Sequence, residues 1–90
     1  MMKRREQWRP VLDAEVKQWS AKSCADLVDE LRKEQAYEVG FEGKKYQVEV
    51  QLLENTDEYV HVSVGVDDGS IPASFGPLSS SFVRKKRGLR

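Results

Sequence analysis

The chain has 90 residues, of which 39% are hydrophobic and 33% charged, and its formal net charge at pH 7 is zero. This length suits one domain with a thin core, and the composition is too apolar for a fully disordered chain. No apolar run approaches the roughly 18 residues that a membrane span needs, and residues 1–5 lead into polar residues rather than into an apolar signal sequence. A single cysteine, Cys24, excludes an internal disulfide, so we expect a cytoplasmic protein.

The charges are segregated along the chain. Residues 1–9 and 84–90 carry nine cations and one acid, a net +8, whereas residues 10–83 carry six cations and fourteen acids, a net −8. Terminal charge runs of this kind are usually solvated and frayed. The sequence therefore divides into a basic N-terminal segment (1–9), a single domain (10–83) and a basic C-terminal tail (84–90).

The domain begins with an apolar period that is typical of helices. Pro10 suits the first turn of a helix, and Leu12, Val16 and Trp19 follow it at the spacing i, i+4 and i+7. This pattern breaks over residues 20–23. The stripe therefore predicts a first helix that begins at about Pro10 and ends before the break.

A second helix follows the break. Ser23 with Asp26 resembles a capping box with aspartate in place of glutamate, and Ser20 is the alternative cap. The helix is expected to end near Glu34. Two helices are favoured, and one long kinked helix is the alternative. The apolar stripe of the second helix consists of Cys24, Leu27, Val28 and Leu31.

From residue 36 onward the apolar period changes to two, which indicates strands. Apolar and polar residues alternate over 37–41 and again over 46–52. A two-residue turn at residues 43–44, with its glycine first, suits a type II′ hairpin. In this register Phe41 lies opposite Tyr46, and the apolar residues of both strands share one face.

The alternating valines of residues 60–66 predict a third strand on the same apolar face. An Asp-Gly turn signal follows and places a fourth strand at residues 71–75. Pro72 lacks the N–H that the third strand would require there, so the fourth strand is short, bulged or paired elsewhere. Leu78 and Phe82 are expected to fold back onto the domain.

These elements predict an α+β fold, in which two N-terminal helices pack on one face of a three- to four-stranded antiparallel β-meander. The other face of the sheet should be polar and acidic. The predicted core comprises Leu12, Val16, Trp19, Leu27, Val28, Leu31 and the even-numbered valines of the strands.

Residue types that perform chemistry are present, but their spacing is not that of a known site. His61 has no second histidine for zinc, and a Ser63–His61–Glu49 arrangement lacks a glycine-rich elbow. Glu38 is predicted to face Glu49, yet paired carboxylates need a cleft that desolvates them. Cys24 lies on the apolar stripe and is predicted to be a buried structural residue. We therefore expect no catalytic, cofactor or metal site.

The basic C-terminal tail suggests an alternative function. Its cations could neutralise phosphates and bind nucleic acid without sequence preference. No aromatic residue lies among these cations, so stacking on bases is not indicated. The second helix is too acidic to act as a recognition helix. The candidate anion-binding residues are Arg84, Lys85, Lys86, Arg87 and Arg90.

The favoured function is a non-enzymatic protein-interaction or accessory module that could self-associate. A small sheet with one open face, and an edge strand interrupted by Pro72, would gain stability from a neighbouring molecule. The partner would be a second copy or another protein, with no membrane or metal involved. On the open face, an aromatic and an aliphatic residue stand among polar ones. The predicted contact patch consists of Gln51, Leu53, Tyr59 and His61.

Several segments together resemble a family of small uncharacterised bacterial proteins. The first is residues 12–23, with its Leu-Asp-Ala-Glu-Val and Trp-Ser-Ala-Lys-Ser runs, followed by Leu27 and Leu31. The later ones are Val-Ser-Val at 62–64 with Asp-Asp-Gly at 67–69, and Pro-Leu-Ser with Phe at 77–82. The resemblance covers residues 10–83. It implies a bacterial origin, no known activity and no site residues.

Overall fold

The computed structural model describes residues 7–69 and 78–86. Within these ranges the sheet has the strand order β1-β2-β3-β4, and each neighbouring pair is antiparallel. Helices precede the strands, so the predicted α+β meander is confirmed. The elements are α1 (Arg9–Ser20), α2 (Cys24–Glu30), β1 (Gln35–Phe41), β2 (Lys44–Asn55), β3 (Tyr59–Asp67) and β4 (Leu78–Lys85).

Helix α1 and the residue before it contribute the two tryptophans of the core. Trp8, the residue before the helix, is 1% exposed and belongs to the core. Leu12 and Trp19 are buried as predicted, whereas Val16 is only partly buried. Glu15 is 7% exposed, although the sequence pattern did not indicate a buried acid.

Helix α2 begins at a side-chain cap, as predicted. Ser23 is in an extended conformation, and its hydroxyl accepts a hydrogen bond of 3.1 Å from the backbone N–H of Asp26. The helix ends at Glu30, earlier than the predicted Glu34. Leu31 leaves the helical conformation while its side chain is buried, and the Gln35 side chain donates to the Glu30 carbonyl at 2.8 Å. These contacts terminate the helix.

Replacing Ser23 with alanine should destabilise the protein by about 1 kcal/mol, because the Asp26 N–H loses its acceptor. The matched control is Ser20→Ala. The Ser20 hydroxyl only donates back to the Lys17 carbonyl, at 3.2 Å, and this bond caps no helix N-terminus. Chemical denaturation of both variants measures the difference. Equal effects of the two substitutions would show that Ser23 is not the cap.

The β1–β2 turn differs from the predicted one. Its two residues are Glu42 and Gly43, with φ of 51° and 80°, and positive φ at both positions defines a type I′ turn instead of type II′. Phe41 therefore pairs with Lys44 and not with Tyr46. The pairing register between β1 and β2 is therefore shifted by two residues from the predicted one. A shift of two residues keeps each side chain on the same face, so the predicted apolar face is unchanged. Glycine at the second position meets the requirement of the type I′ turn for positive φ.

The core lies between the helices and strands β2 to β4. Helix α1 packs on β3 and β4, and α2 packs on β2 and β3. The apolar residues of β1 are only partly buried, because the main helix contacts are with the other three strands. The predicted inward orientation of the strand valines is confirmed, since the following are all 0% exposed: Val48, Val50, Val60, Val62, Val64 and Val66.

The strand that pairs with β3 is β4, which begins at Leu78 and not at the predicted residue 71. Leu78 pairs with Val66 and Phe82 pairs with Val62, so both side chains pack against the core. Residues 70–77, which include Pro72, lie outside the described residues. The stretch 78–85 contains no proline, so every residue of β4 retains its backbone N–H donor. β4 continues to Lys85, so Arg84 and Lys85 of the predicted tail belong to the sheet.

A β-bulge interrupts the pairing of β2 with β3. Leu52 pairs with Val62, but Glu54 pairs with His61, so Leu53 is an extra residue in β2. Both Leu53 and Glu54 therefore stand opposite one residue of β3. The three-residue connection that follows, residues 56–58, leaves the valines of β3 on the core face.

Candidate interaction site

The bulge lies at the centre of the predicted contact patch, on the sheet face that points away from the helices. His61 on β3 is flanked by Glu54 on β2 and by Val83 on β4. Leu53 adjoins Glu54, and Tyr59 precedes His61 on the same face. Gln51, the fourth predicted residue, pairs with Ser63 one alternation farther along β2 and β3.

Two large hydrophobic residues are exposed in the described part of the chain, and both border His61. Leu53 is 46% exposed and Val83 is 53% exposed. Sequence reasoning missed Val83, because it follows the core residue Phe82 directly and two adjacent apolar residues give no alternation. The pairing of His61 with Val83 in the sheet reveals its position.

Glu54 connects the polar groups of this region. The Tyr59 hydroxyl donates to Glu54 Oε1 at 2.9 Å, and His61 Nδ1 lies 3.8 Å from the same oxygen. The hydrogen bond to the carboxylate raises the pKa of Tyr59 above its ordinary value. Glu54 was not among the predicted patch residues, so its role in orienting Tyr59 was missed.

Charges of opposite sign flank the region. Glu54 stands on the β2 side of β3, and Lys85 stands on the β4 side, paired with Tyr59. An open depression of about 370 Å³ extends from Tyr59 and Val83 toward Lys86. We call the following residues the open-face patch: Leu53, Glu54, Tyr59, His61, Val83 and Lys85.

The structure does not assemble the carboxylate pair that the sequence suggested. Glu38 pairs with Gln47, whose side-chain amide donates to its carboxylate at 3.0 Å, and Glu49 pairs with Ala36. The different turn moved Glu38 away from Glu49. Among residues 7–69 and 78–86, no three His, Cys, Asp or Glu side chains are grouped so that they could hold a metal ion.

The described residues of the basic tail are bound to the domain. Arg84 Nε donates to the Lys22 carbonyl at 2.9 Å, and Lys86 Nζ donates to the Asn55 side chain at 2.8 Å. The backbone N–H of Lys86 also donates to the Glu58 carbonyl at 2.9 Å. A free cationic tail therefore does not begin at residue 84. Two members of the predicted set, Arg87 and Arg90, lie outside the described residues.

Cys24 lies at the edge of the core rather than inside it. It is partly buried, and its thiol is 3.3 Å from the Arg84 carbonyl and 3.4 Å from the Lys85 carbonyl. An adjacent open cleft of about 540 Å³ includes Asp29 and Arg32, whose side chains form an ion pair of 2.6 Å. Lys86 also lines the cleft and donates to Asn55, so each charged group there already has a partner, and the thiol helps to attach β4 to α2.

A polar cluster of three side chains lies on the helix side of the sheet. Tyr37 Oη donates to Glu15 Oε1 at 2.5 Å and accepts from Trp19 Nε1 at 2.8 Å. Burial and the bond to the Glu15 carboxylate raise the pKa of Tyr37 to about 12. This arrangement joins α1 to β1, and it satisfies a carboxylate that is otherwise costly to bury.

In the described ranges, no helix has both the length and the apolar character that crossing a membrane requires. No protein-family model, curated protein or solved structure matches the chain. The geometry and chemistry of the open-face patch are therefore the basis from which a function is inferred.

Proposed function

We propose that the protein is a non-enzymatic interaction module that binds a protein partner through the open-face patch. The observation that carries this proposal is the position of the two exposed hydrophobic residues. Leu53 and Val83 border the same histidine on the face opposite the helices. Exposed apolar residues that are grouped, and surrounded by polar ones, characterise protein interaction sites.

The composition of the patch supports a protein as the ligand. Full burial of an exposed leucine or valine side chain contributes about 1.5–3 kcal/mol. Leu53 and Val83 are each about half exposed, so together they would supply roughly that amount to an interface. Tyr59 adds an aromatic residue of the kind that is frequent among interface hot spots. Its hydroxyl is already bonded to Glu54, so the ring is held in place before a partner binds.

The neighbouring residues leave this part of the sheet accessible to a broad surface. Small side chains follow the patch along β3 and β4, where Ser63 pairs with Ser81 and Gly65 pairs with Ser79. A stable protein interface buries roughly 800 Å² on each partner, and a sheet face without bulky side chains permits such an approach. A small-molecule site would instead be concave and enclosed.

Site-specific photo-cross-linking tests the proposal. A photoreactive amino acid at Val83 should form cross-linked adducts, because the patch is in contact with a protein partner. The control carries the same amino acid at Gln18, an exposed position of α1 on the opposite side of the sheet. The Val83 adduct should disappear when Leu53→Asp is added. Equal yields at Val83 and Gln18, or a yield that Leu53→Asp leaves unchanged, would contradict the proposal.

A further inference from the structure

The open-face patch is complementary to itself, and we infer that its partner is a second copy of this chain. The two copies pack with their open sheet faces together. Their twofold axis lies between the two sheets and runs parallel to β3. This inference rests on the proposed function and adds the identity of the partner. It is carried by the arrangement of apolar and charged residues on the two sides of β3.

The apolar residues match under this symmetry. Leu53 lies on the β2 side of His61, and Val83 lies on the β4 side. A twofold rotation about an axis along β3 exchanges these two sides between facing sheets. Leu53 of one copy therefore meets Val83 of the other, and the contact occurs twice, as in any isologous interface. Neighbouring strands are about 4.8 Å apart, so each contact lies close to the axis.

The charges match in the same way. Glu54 is on the β2 side and Lys85 is on the β4 side, so each carboxylate approaches the ammonium group of the other copy. An axis across the strands would instead place Glu54 against Glu54 and Lys85 against Lys85. Like charges opposed across an interface are unfavourable. The charge pattern therefore selects the axis along β3.

The residues of β3 lie nearest the axis, so each of them faces the same residue of the other copy. His61 and Tyr59 both belong to β3, so the two imidazoles and the two phenol rings lie at the centre of the dimer. Aromatic side chains are enriched at such centres. Beyond them, Ser63 and Ser81 let the facing sheets approach to about 10 Å, the usual distance between packed sheets.

Sedimentation equilibrium of the purified full chain over a wide range of concentrations tests this inference. The wild type should form a dimer in a concentration-dependent manner. Glu54→Lys alone and Lys85→Glu alone should each weaken the dimer by about tenfold, because each opposes like charges. The double variant Glu54→Lys/Lys85→Glu should recover most of that loss, because it restores opposite charges in the reverse order. Glu49→Lys, on the same face but outside the patch, is the control and should have little effect.

A second measurement tests the axis and does not depend on the charge variants. Leu53→Cys and Val83→Cys are prepared as separate proteins in a Cys24→Ser background, and they are then mixed and oxidised. The mixture should form disulfide-linked pairs faster than either protein alone. A strict monomer at every concentration, or no preference for the mixed pair, would overturn the inference. In that case, a Val83 photo-adduct with a different protein would still support the proposed function, and the absence of any adduct would refute both.

Discussion

Replacing Trp19 with alanine is expected to remove a large part of the stability of the domain. Truncation of a buried tryptophan typically costs about 3–5 kcal/mol, and a domain of this size has roughly 5–14 kcal/mol in total. Trp19 is 6% exposed, and its ring packs in the core between α1 and the sheet. Its Nε1 also donates to Tyr37 Oη, and the Lys22 ammonium lies 5.2 Å from the ring centroid. The substitution therefore affects packing and the polar cluster together.

Denaturant unfolding followed by circular dichroism measures the effect. Trp19→Phe keeps an aromatic ring but loses the N–H donor, so its stability should lie between those of the wild type and Trp19→Ala. Gln18→Ala, at an exposed position of the same helix, should change stability by less than about 0.5 kcal/mol. If Trp19→Ala were no less stable than Gln18→Ala, the packing of α1 on the sheet would be disproved.

The second large effect is expected at Tyr37. Tyr37→Phe removes the hydroxyl that donates to the Glu15 carboxylate, while the buried acid remains in place. Leaving a buried acceptor without its donor costs about 1–3 kcal/mol. Tyr59→Phe is the matched control, because its hydroxyl also donates to a carboxylate, Glu54, but at an exposed site. The control should therefore cost much less.

The pH dependence of stability provides a second test of the Tyr37 cluster. Burial and the bond to Glu15 raise the pKa of Tyr37 from its ordinary value of 10.0 to about 12. The folded state thus retains the phenol proton after the unfolded state has lost it. The stability linked to Tyr37 is fully present below about pH 10 and is lost as the pH rises toward 12.

Wild type should therefore lose stability through this alkaline range, and Tyr37→Phe should lose less, because it has no proton to lose there. Unfolding measured at a series of pH values, with tyrosinate absorbance recorded in parallel, provides the comparison. An identical alkaline slope for the wild type and Tyr37→Phe would show that Tyr37 titrates normally in the folded protein.

The sequence predicted the parts of the fold that depend on strong periodicity. Val60 to Val66 alternate without interruption, so their face is determined once they form a strand. The α2 cap was predicted because Ser23 precedes a run of helical residues. The turn at Glu42 and Gly43 was misplaced because a glycine suits either the first position of a type II′ turn or the second position of a type I′ turn.

Other features depend on contacts between distant residues. The sequence gives no sign that Glu15 is buried, because its partner Tyr37 belongs to a different element. The fourth strand was placed at the first apolar run after the Asp-Gly signal, whereas Leu78 and Phe82 pair with β3. Both errors arise because local patterns do not specify which distant segment completes a surface.

The candidate site was predicted in part. Leu53, Tyr59 and His61 were identified from an aromatic and an aliphatic residue among polar neighbours. Val83 and Glu54 were missed, because their proximity to His61 is produced by the β4 register and by the bulge. Pairing across strands thus determines the chemical character of the patch.

Because Leu53 is an extra residue in β2, this strand tolerates the loss of one residue. Removal of one residue from the interior of a regular strand would turn every later side chain to the opposite face. Removal of Leu53 would instead produce an uninterrupted ladder, with Leu52 still paired to Val62 and the next residue to His61. A shortened chain would therefore keep the same core while losing one of the two exposed hydrophobic residues of the open-face patch, so a change of length at this point would alter the surface and not the fold.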